Sequence, residues 1–261
     1  MISIIHYDAI SFLREMPDNS INMVFTDPPY GHNNNNNNGD LISRREAALG
    51  RGDYLKERDD RPICNDGKGA NNLFRSILPE IKRVLVPGGC CCCCGGGGGP
   101  EPQFARWSLW LDEVLDFKQM VVWDKGRIGM GWHYRRSYET ILVAQKPGRK
   151  CAWYDTSHKI ENIIRPGYRG IKKIIPSKDQ HPTQKPVELS KFFIELHSQE
   201  GDVVLDPFCG SGSTLIAAEE LGRNSIGIEL DKVWFDMAEK RVFQLGYENS
   251  FRADAESPIA A

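Results

Sequence analysis

Residues 203–212 read VVLDPFCGSG, and STLIAAEELGRNSIGIEL continues the chain to residue 230. A short apolar run, a polar loop bearing two glycines, a helix-forming stretch stopped by Gly222 and a second apolar run together describe a βαβ unit. The expected elements are a strand over 203–205, a helix over 213–221 and a strand over 225–228. A crossover of this kind places its two strands parallel, so the chain is α/β. In open α/β sheets ligands gather beyond the carboxyl ends of the strands, which is where the DPFCGSG loop falls.

Gly210 and Gly212 let backbone approach a ligand where the strand ends and the helix opens. Glu229 closes the next strand nineteen positions after Gly210, a spacing at which an acidic side chain reaches ribose hydroxyls. The third glycine of a dinucleotide fingerprint is missing, and no lysine follows as a phosphate loop requires. An adenosine ligand without a pyrophosphate fits this loop better.

A second loop carries different chemistry. The apolar run INMVF at 21–25 reads as a buried parallel strand and delivers Asp27, Pro28, Pro29 and Tyr30 at its carboxyl end. The prolines fix φ and remove donors, which holds the Asp27 carboxylate and the Pro28 carbonyl in place in advance. Two fixed acceptors suit an exocyclic amine, whose delocalised lone pair must be drawn back onto nitrogen before it can attack. Tyr30 offers a ring on which an extruded base can stack.

Further elements follow from periodicity. Residues 73–86 have helical spacing and stop at Pro87-Gly88-Gly89, 120–123 and 140–144 read as strands, and 231–245 reads as an amphipathic helix before a frayed tail. Cys90 to Cys94 read as small buried strand residues feeding a glycine loop. Adjacent cysteines alternate faces, so no metal site is expected from them. Asn33 to Asn38 read as an exposed loop.

The formal charge is -2, from 33 Lys and Arg against 35 Asp and Glu, so any nucleic-acid surface must be local. No basic n-region with an apolar stretch opens the chain, and no segment approaches a membrane span, which predicts a soluble, cytoplasmic protein with reduced thiols. Residues 147–185 hold nine Lys or Arg against three Asp or Glu, including Arg165, Arg169, Lys172, Lys173 and Lys178 around Tyr168. That composition suits phosphate contacts. The insertion at 31–72 carries Arg44, Arg45, Arg51 and Arg58.

DPPY at 27–30, WDKGRIGMGWHYRRSYETILVAQK at 123–146, HPTQKP at 181–186, DPFCGSG at 206–212 and GIELD at 227–231 span most of the chain. Together they resemble the beta-class DNA amino-methyltransferases, which place the catalytic motif before the cofactor motif by circular permutation. The resemblance implies a doubly wound, mostly parallel seven-stranded sheet over 1–261, and S-adenosylmethionine as cofactor. It implies that Asp27, Pro28, Pro29 and Tyr30 are catalytic. Asp206, Pro207, Phe208, Gly210, Ser211 and Gly212 would cradle the cofactor's methionine part, with His181, Thr183 and Lys185 completing that pocket. Glu229 would take the ribose and Asp8 the adenine, although a helix cap explains Asp8 as well.

Trp132, His133, Tyr134 and Arg135 match the family's target-base segment, with core aromatics on a strand as the alternative. Residues 147–180 occupy the place of its target-recognition region. The substrate implied is N6 of an adenine flipped out of double-stranded DNA. Cytosine N4 is the alternative, since its enzymes more often show serine where Asp27 stands, and a non-catalytic cofactor-binding or DNA-binding module is the third reading. A C5-type enzyme needs a Pro-Cys nucleophile, which the chain lacks. A homodimer and a cognate restriction endonuclease stay open as partners.

Overall fold

The computed structural model describes residues 1–31, 69–95, 103–126, 134–135, 137–172 and 184–246. Eight strands among them form one sheet: β1 (Ile2–His6), β2 (Ile21–Thr26), β3 (Leu85–Gly95), β4 (Asp116–Asp124), β5 (Tyr138–Gln145), β6 (Ile163–Ile164), β7 (Val203–Asp206) and β8 (Asn224–Glu229). Their lateral order is β1-β8-β7-β2-β3-β5-β4-β6. Of these eight, only β5 runs antiparallel to its neighbours, β3 and β4. The strand beyond the expected seven is β6, a two-residue ladder on β4 that is too short to leave a sequence pattern.

Helices α1 (Ala9–Glu15), α2 (Ala70–Val84) and α3 (Gln103–Val114) cover one face, and α4 (Val187–His197), α5 (Ser213–Glu220) and α6 (Lys232–Gln244) the other. The period of two along each strand divides the core between them. Val24, Cys91 and Cys93 pack with Phe74 and Trp107 on the first face. Met23, Phe25, Cys90, Cys92 and Cys94 pack with Phe192 and Phe193 on the second. The βαβ unit at 203–230 lies where its sequence places it. The helix after it starts at Lys232 because the Asp231 carboxylate caps it, accepting the Val233 N–H at 2.8 Å.

One boundary differs from expectation. The helix of 73–86 ends at Val84, and Pro87-Gly88-Gly89 lies inside β3 instead of forming a turn before it. Opposite β2 the register jumps from Ile21 beside Leu85 to Met23 beside Cys90, so the extra residues bulge out of the ladder. Gly88 makes this passage at φ +85, where a Cβ would stand 2.6 Å from the Lys150 carbonyl oxygen.

Among the described residues no helix is long and apolar enough to cross a membrane. The asparagine run, most of the 31–72 insertion, the Gly96 to Gly99 stretch and the tail from 247 lie outside the described residues.

Candidate active site

Strands β2 and β7 are parallel neighbours, with Val24 beside Leu205, so the Asp27 and Asp206 loops leave the same edge of the sheet side by side. A buried hydrogen bond joins them: Thr26 Oγ1 donates to Asp206 Oδ1 at 2.8 Å. The same oxygen accepts the Phe208 N–H at 3.1 Å, which shapes the loop that follows. Burial pushes the Asp206 carboxyl up to about 6 even though the Thr214, Thr26 and Phe208 donors oppose it. Asp206 therefore braces the two loops against each other.

On the outer side of β7 the loop is built from glycine. Gly210 and Gly212 hold φ of +48 and +75, a region that costs residues with a Cβ roughly 1–2 kcal/mol each. The Gly210 N–H donates to Glu229 Oε2 at 2.9 Å and the Asp231 N–H to Glu229 Oε1 at 2.9 Å. Burial still raises the Glu229 carboxyl to about 7, because among the described residues no cation pairs with it to offset its desolvation. Such an anion, held by backbone donors at the end of β8, matches a ligand that brings hydroxyl donors. Ser211 faces α6 instead, where Arg241 donates to its carbonyl oxygen at 3.0 Å.

Asp8 stands at the end of β1, which pairs with β8 through His6 and Glu229. Its carboxylate caps α1 by accepting the Ser11 N–H at 2.8 Å. Of the two readings of Asp8, the helix cap is the one its contacts show. Gly227 of β8 was not singled out from sequence, yet a Cβ there would lie 2.6 Å from Leu215 and 3.0 Å from Cys209. Its role is close packing of α5 under the glycine loop.

The inner loop is built from charge. Asp27 accepts hydrogen bonds from Tyr30 Oη at one oxygen and from Lys185 Nζ at the other. Lys185 also lies 3.2 Å from Glu139 Oε2, and Lys125 Nζ donates to Glu139 Oε1 at 2.9 Å. The result is a chain of alternating sign, Asp27, Lys185, Glu139, Lys125, whose charges sum to zero. Burial raises Asp27 and Lys185 pulls it back, leaving it above the ordinary carboxylate value. Burial alone would lower the Lys185 ammonium, but Asp27 and Glu139 outweigh it and keep it protonated. Glu139 is held low by Lys185 and Lys125 against its own burial. Asp27 thus holds a proton more tightly than a surface aspartate does, with the Lys185 ammonium beside it.

Tyr30 is positioned from three sides. Its phenol is on Asp27, its carbonyl accepts from Gln103 Nε2, and its ring meets the Trp107 edge at a centroid distance of 6.1 Å. Lys185 Nζ sits 5.4 Å from the ring centroid. Burial, then Asp27, push the phenol well above its usual range, so it stays a donor.

The resemblance assigned Lys185 to the methionine pocket; its contacts lie instead on Asp27, Tyr30 and Glu139. Glu139, Lys125, Gln103 and Trp107 were missed. The available signal was that Lys125 and Glu139 flank the ends of β4 and β5, where the charged pair faces inward. Tyr134 and Arg135 lie exposed between those strands, Tyr134 at 94%. Trp132, His133, His181, Thr183, Lys173 and Lys178 lie outside the described residues. Arg165 pairs with Glu161 at 2.6 Å and Arg169 with Glu195 at 3.5 Å, while Lys172 is exposed.

Comparison with known proteins places this geometry. The family model described as DNA methylase, of the N6/N4 type, matches residues 21–240. The Type II methyltransferase M.HhaII of Haemophilus parahaemolyticus is 30% identical over 223 residues, covering 85% of this chain and 88% of that protein. The Type II methyltransferase M2.DpnII of Streptococcus pneumoniae is 28% identical over 252 residues, covering 92% and 88%. Among solved structures, a DNA modification methylase of Thermus thermophilus, TTHA0409, superposes with TM-score 0.64 at 24% identity, over 94% of this chain and 95% of that one. The cytosine-N4-specific PvuII DNA methyltransferase gives 0.63 at 17%, over 96% and 88%, which shows the shared fold. The match over most of the chain, joined to a glycine loop and a charged loop on one sheet edge, makes this protein a member of the N6/N4 DNA methylase family, an S-adenosylmethionine-dependent DNA methyltransferase.

Proposed function

We propose that this enzyme methylates N6 of adenine in a short recognition site of double-stranded DNA, acting on a flipped-out base. The observation that carries this reading is Asp27: a half-buried carboxylate, paired with the Lys185 ammonium and fixed by Pro28 and Pro29 beside the cofactor loop. S-adenosylmethionine supplies an electrophilic methyl group when bound. The donor set fits it, since Glu229 is a half-buried carboxylate with no cation paired to it among the described residues and so suits ribose hydroxyls, and Gly210 and Gly212 put no side chain in the way of the methionine part. Asp8, Asp206, Pro207 and Phe208 frame the same edge, with Ser211, His181 and Thr183 assigned there by resemblance.

In the reaction, the Asp27 carboxylate and the Pro28 carbonyl accept the two N–H groups of the target amine and localise its lone pair toward the incoming methyl. The methylated nitrogen must then shed a proton. Asp27, raised by burial, accepts it and passes it to solvent. Lys185 favours the ionised form of Asp27, and the Glu139 and Lys125 pair holds Lys185 in register.

Trp132, His133, Tyr134 and Arg135 border the base pocket in this reading. Arg165, Arg169, Lys172, Lys173 and Lys178 within 147–180 contact the DNA backbone as a short target-recognition region. The order of the loops, β2 before β7, supports the permuted beta class. The Type II relatives support a restriction-modification context with a cognate endonuclease.

Asp27 supports adenine over cytosine, because serine is the commoner residue there in the cytosine-N4 enzymes. DNA from expressing cells, digested to nucleosides and weighed by mass spectrometry, should contain N6-methyladenine. N4-methylcytosine in its place overturns the base assignment and leaves the family intact.

A further inference from the structure

We propose that Cys90, Cys92 and His197 bind one soft, zinc-class cation. Alternation along β3 keeps adjacent cysteines from sharing a metal, but it puts Cys90 and Cys92 on the same face. His197, the last residue of α4, arrives on that face from more than a hundred residues away in sequence. The two sulfurs and the imidazole nitrogen all lie within 4.8 Å of one another.

The spacing suits a tetrahedral ion. Zinc to sulfur bonds of about 2.3 Å set neighbouring sulfurs about 3.8 Å apart, and Cys90 and Cys92 Sγ stand at 3.5 Å. The imidazole is oriented as ligating histidines are. His197 Nδ1 donates to the Ala152 carbonyl at 2.8 Å, which leaves Nε2 as the ligand nitrogen. Trp153 backs the ring edge-on at 5.3 Å. The half-buried Cys151 thiol reaches toward the same Ala152 carbonyl and stays outside the three-ligand cluster.

All three principal ligands are buried, His197 at 4% exposure, so an ion enters a dry site where thiolate binding is strongest. Binding releases the thiol protons to solvent, and two thiolates with a divalent ion form a neutral unit. The clamp ties β3 to the segment at 151–152 and to the far end of α4, the helix that begins just after Lys185.

The strand supplies its own control. Cys91 and Cys93 pair on the opposite face at 3.3 Å, and no imidazole joins them among the described residues. Protein expressed in zinc-supplemented medium should carry one zinc per chain by native mass spectrometry. C91A/C93A should retain it and C90A/C92A should lose it. Cobalt titrated into the metal-free wild type should give thiolate charge-transfer bands and the intense visible bands of a tetrahedral ion.

Should C90A/C92A fail to fold, H197Q serves instead and should weaken zinc binding about tenfold or more. A wild type without bound zinc and without the cobalt bands overturns the proposal. So does undiminished zinc in C90A/C92A, or a Cys90 to Cys92 disulfide found two mass units light in the freshly isolated protein.

Discussion

The loops at the ends of β2 and β7 occupy equivalent places, on neighbouring parallel strands and one sheet edge, and are built on opposite principles. The β2 loop uses two prolines and a chain of four charges to fix side-chain atoms. The β7 loop uses glycines at positive φ to remove side-chain atoms, and leaves one carboxylate, Glu229, held by backbone donors. A reacting amine needs acceptors fixed to a fraction of an ångström, whereas a bound nucleoside needs room and hydrogen-bonding edges. The hydrogen bond from Thr26 to Asp206 couples the positions of the two loops without mixing their chemistry.

The largest expected effect separates the loops by kinetics. Asp27→Ala should reduce turnover by roughly 10²–10⁴-fold while S-adenosylhomocysteine and DNA affinities stay within a few-fold. Gly210→Val should do the reverse, weakening the nucleoside ligand first. Calorimetry and single-turnover assays on both variants read the contrast, and equal loss of both functions in either one breaks it. Lys185→Met refines the β2 side. It leaves Asp27 in place but removes the cation that lowers its proton affinity, so the acid limb of the pH profile should move upward. An unmoved limb would take Lys185 out of the control of Asp27.

A smaller effect belongs to the β7 loop. Burial pushes the Glu229 carboxyl up to about 7. Ribose hydroxyls donate to the ionised form, so ligand binding must expel a proton at lower pH. Affinity for S-adenosylhomocysteine should therefore rise as pH climbs toward 7 and level off above it. Glu229→Gln should flatten the dependence and weaken binding by roughly 10–100-fold, as loss of a charge-assisted bond of about 1.5–3 kcal/mol implies. A slope that survives in Glu229→Gln would assign the proton elsewhere.

The smallest effect lies outside both loops. Each phosphate contact contributes roughly 0.9 to the slope of log affinity against log salt, so K172A/K173A should lower that slope by up to about two on any DNA sequence. Arg165 and Arg169, already paired with Glu161 and Glu195, should matter less. A slope that does not change returns the segment to a solvated surface.

Local patterns carried the βαβ unit and both loops into view, because strand period, helix stop and turn residues are written within a few positions. What escaped was written across the chain. The charge chain needs Glu139 and Lys125 from two antiparallel strands to meet Lys185 from before α4, and no spacing rule relates them. The bulge at Pro87-Gly88-Gly89 depends on β2 as a template, so its residues read as a turn in isolation. The cysteine run shows the division within one strand: alternation was legible, while the histidine that gives one face its character came from another helix.

Among the described strands β1 has a single partner, β8, and their pairing joins Ile2 to Ser225 and His6 to Glu229. On the ribosome, at roughly 5–20 residues per second, β1 waits roughly ten to forty seconds for that partner to be made. Asp8 and Glu229, which the proposed reading puts at the two ends of an adenosine pocket, therefore come together only once β8 has been made. A nascent chain already exposes the DPPY sequence long before it can hold a methyl donor beside it, so the enzyme acquires its reactivity in one late step.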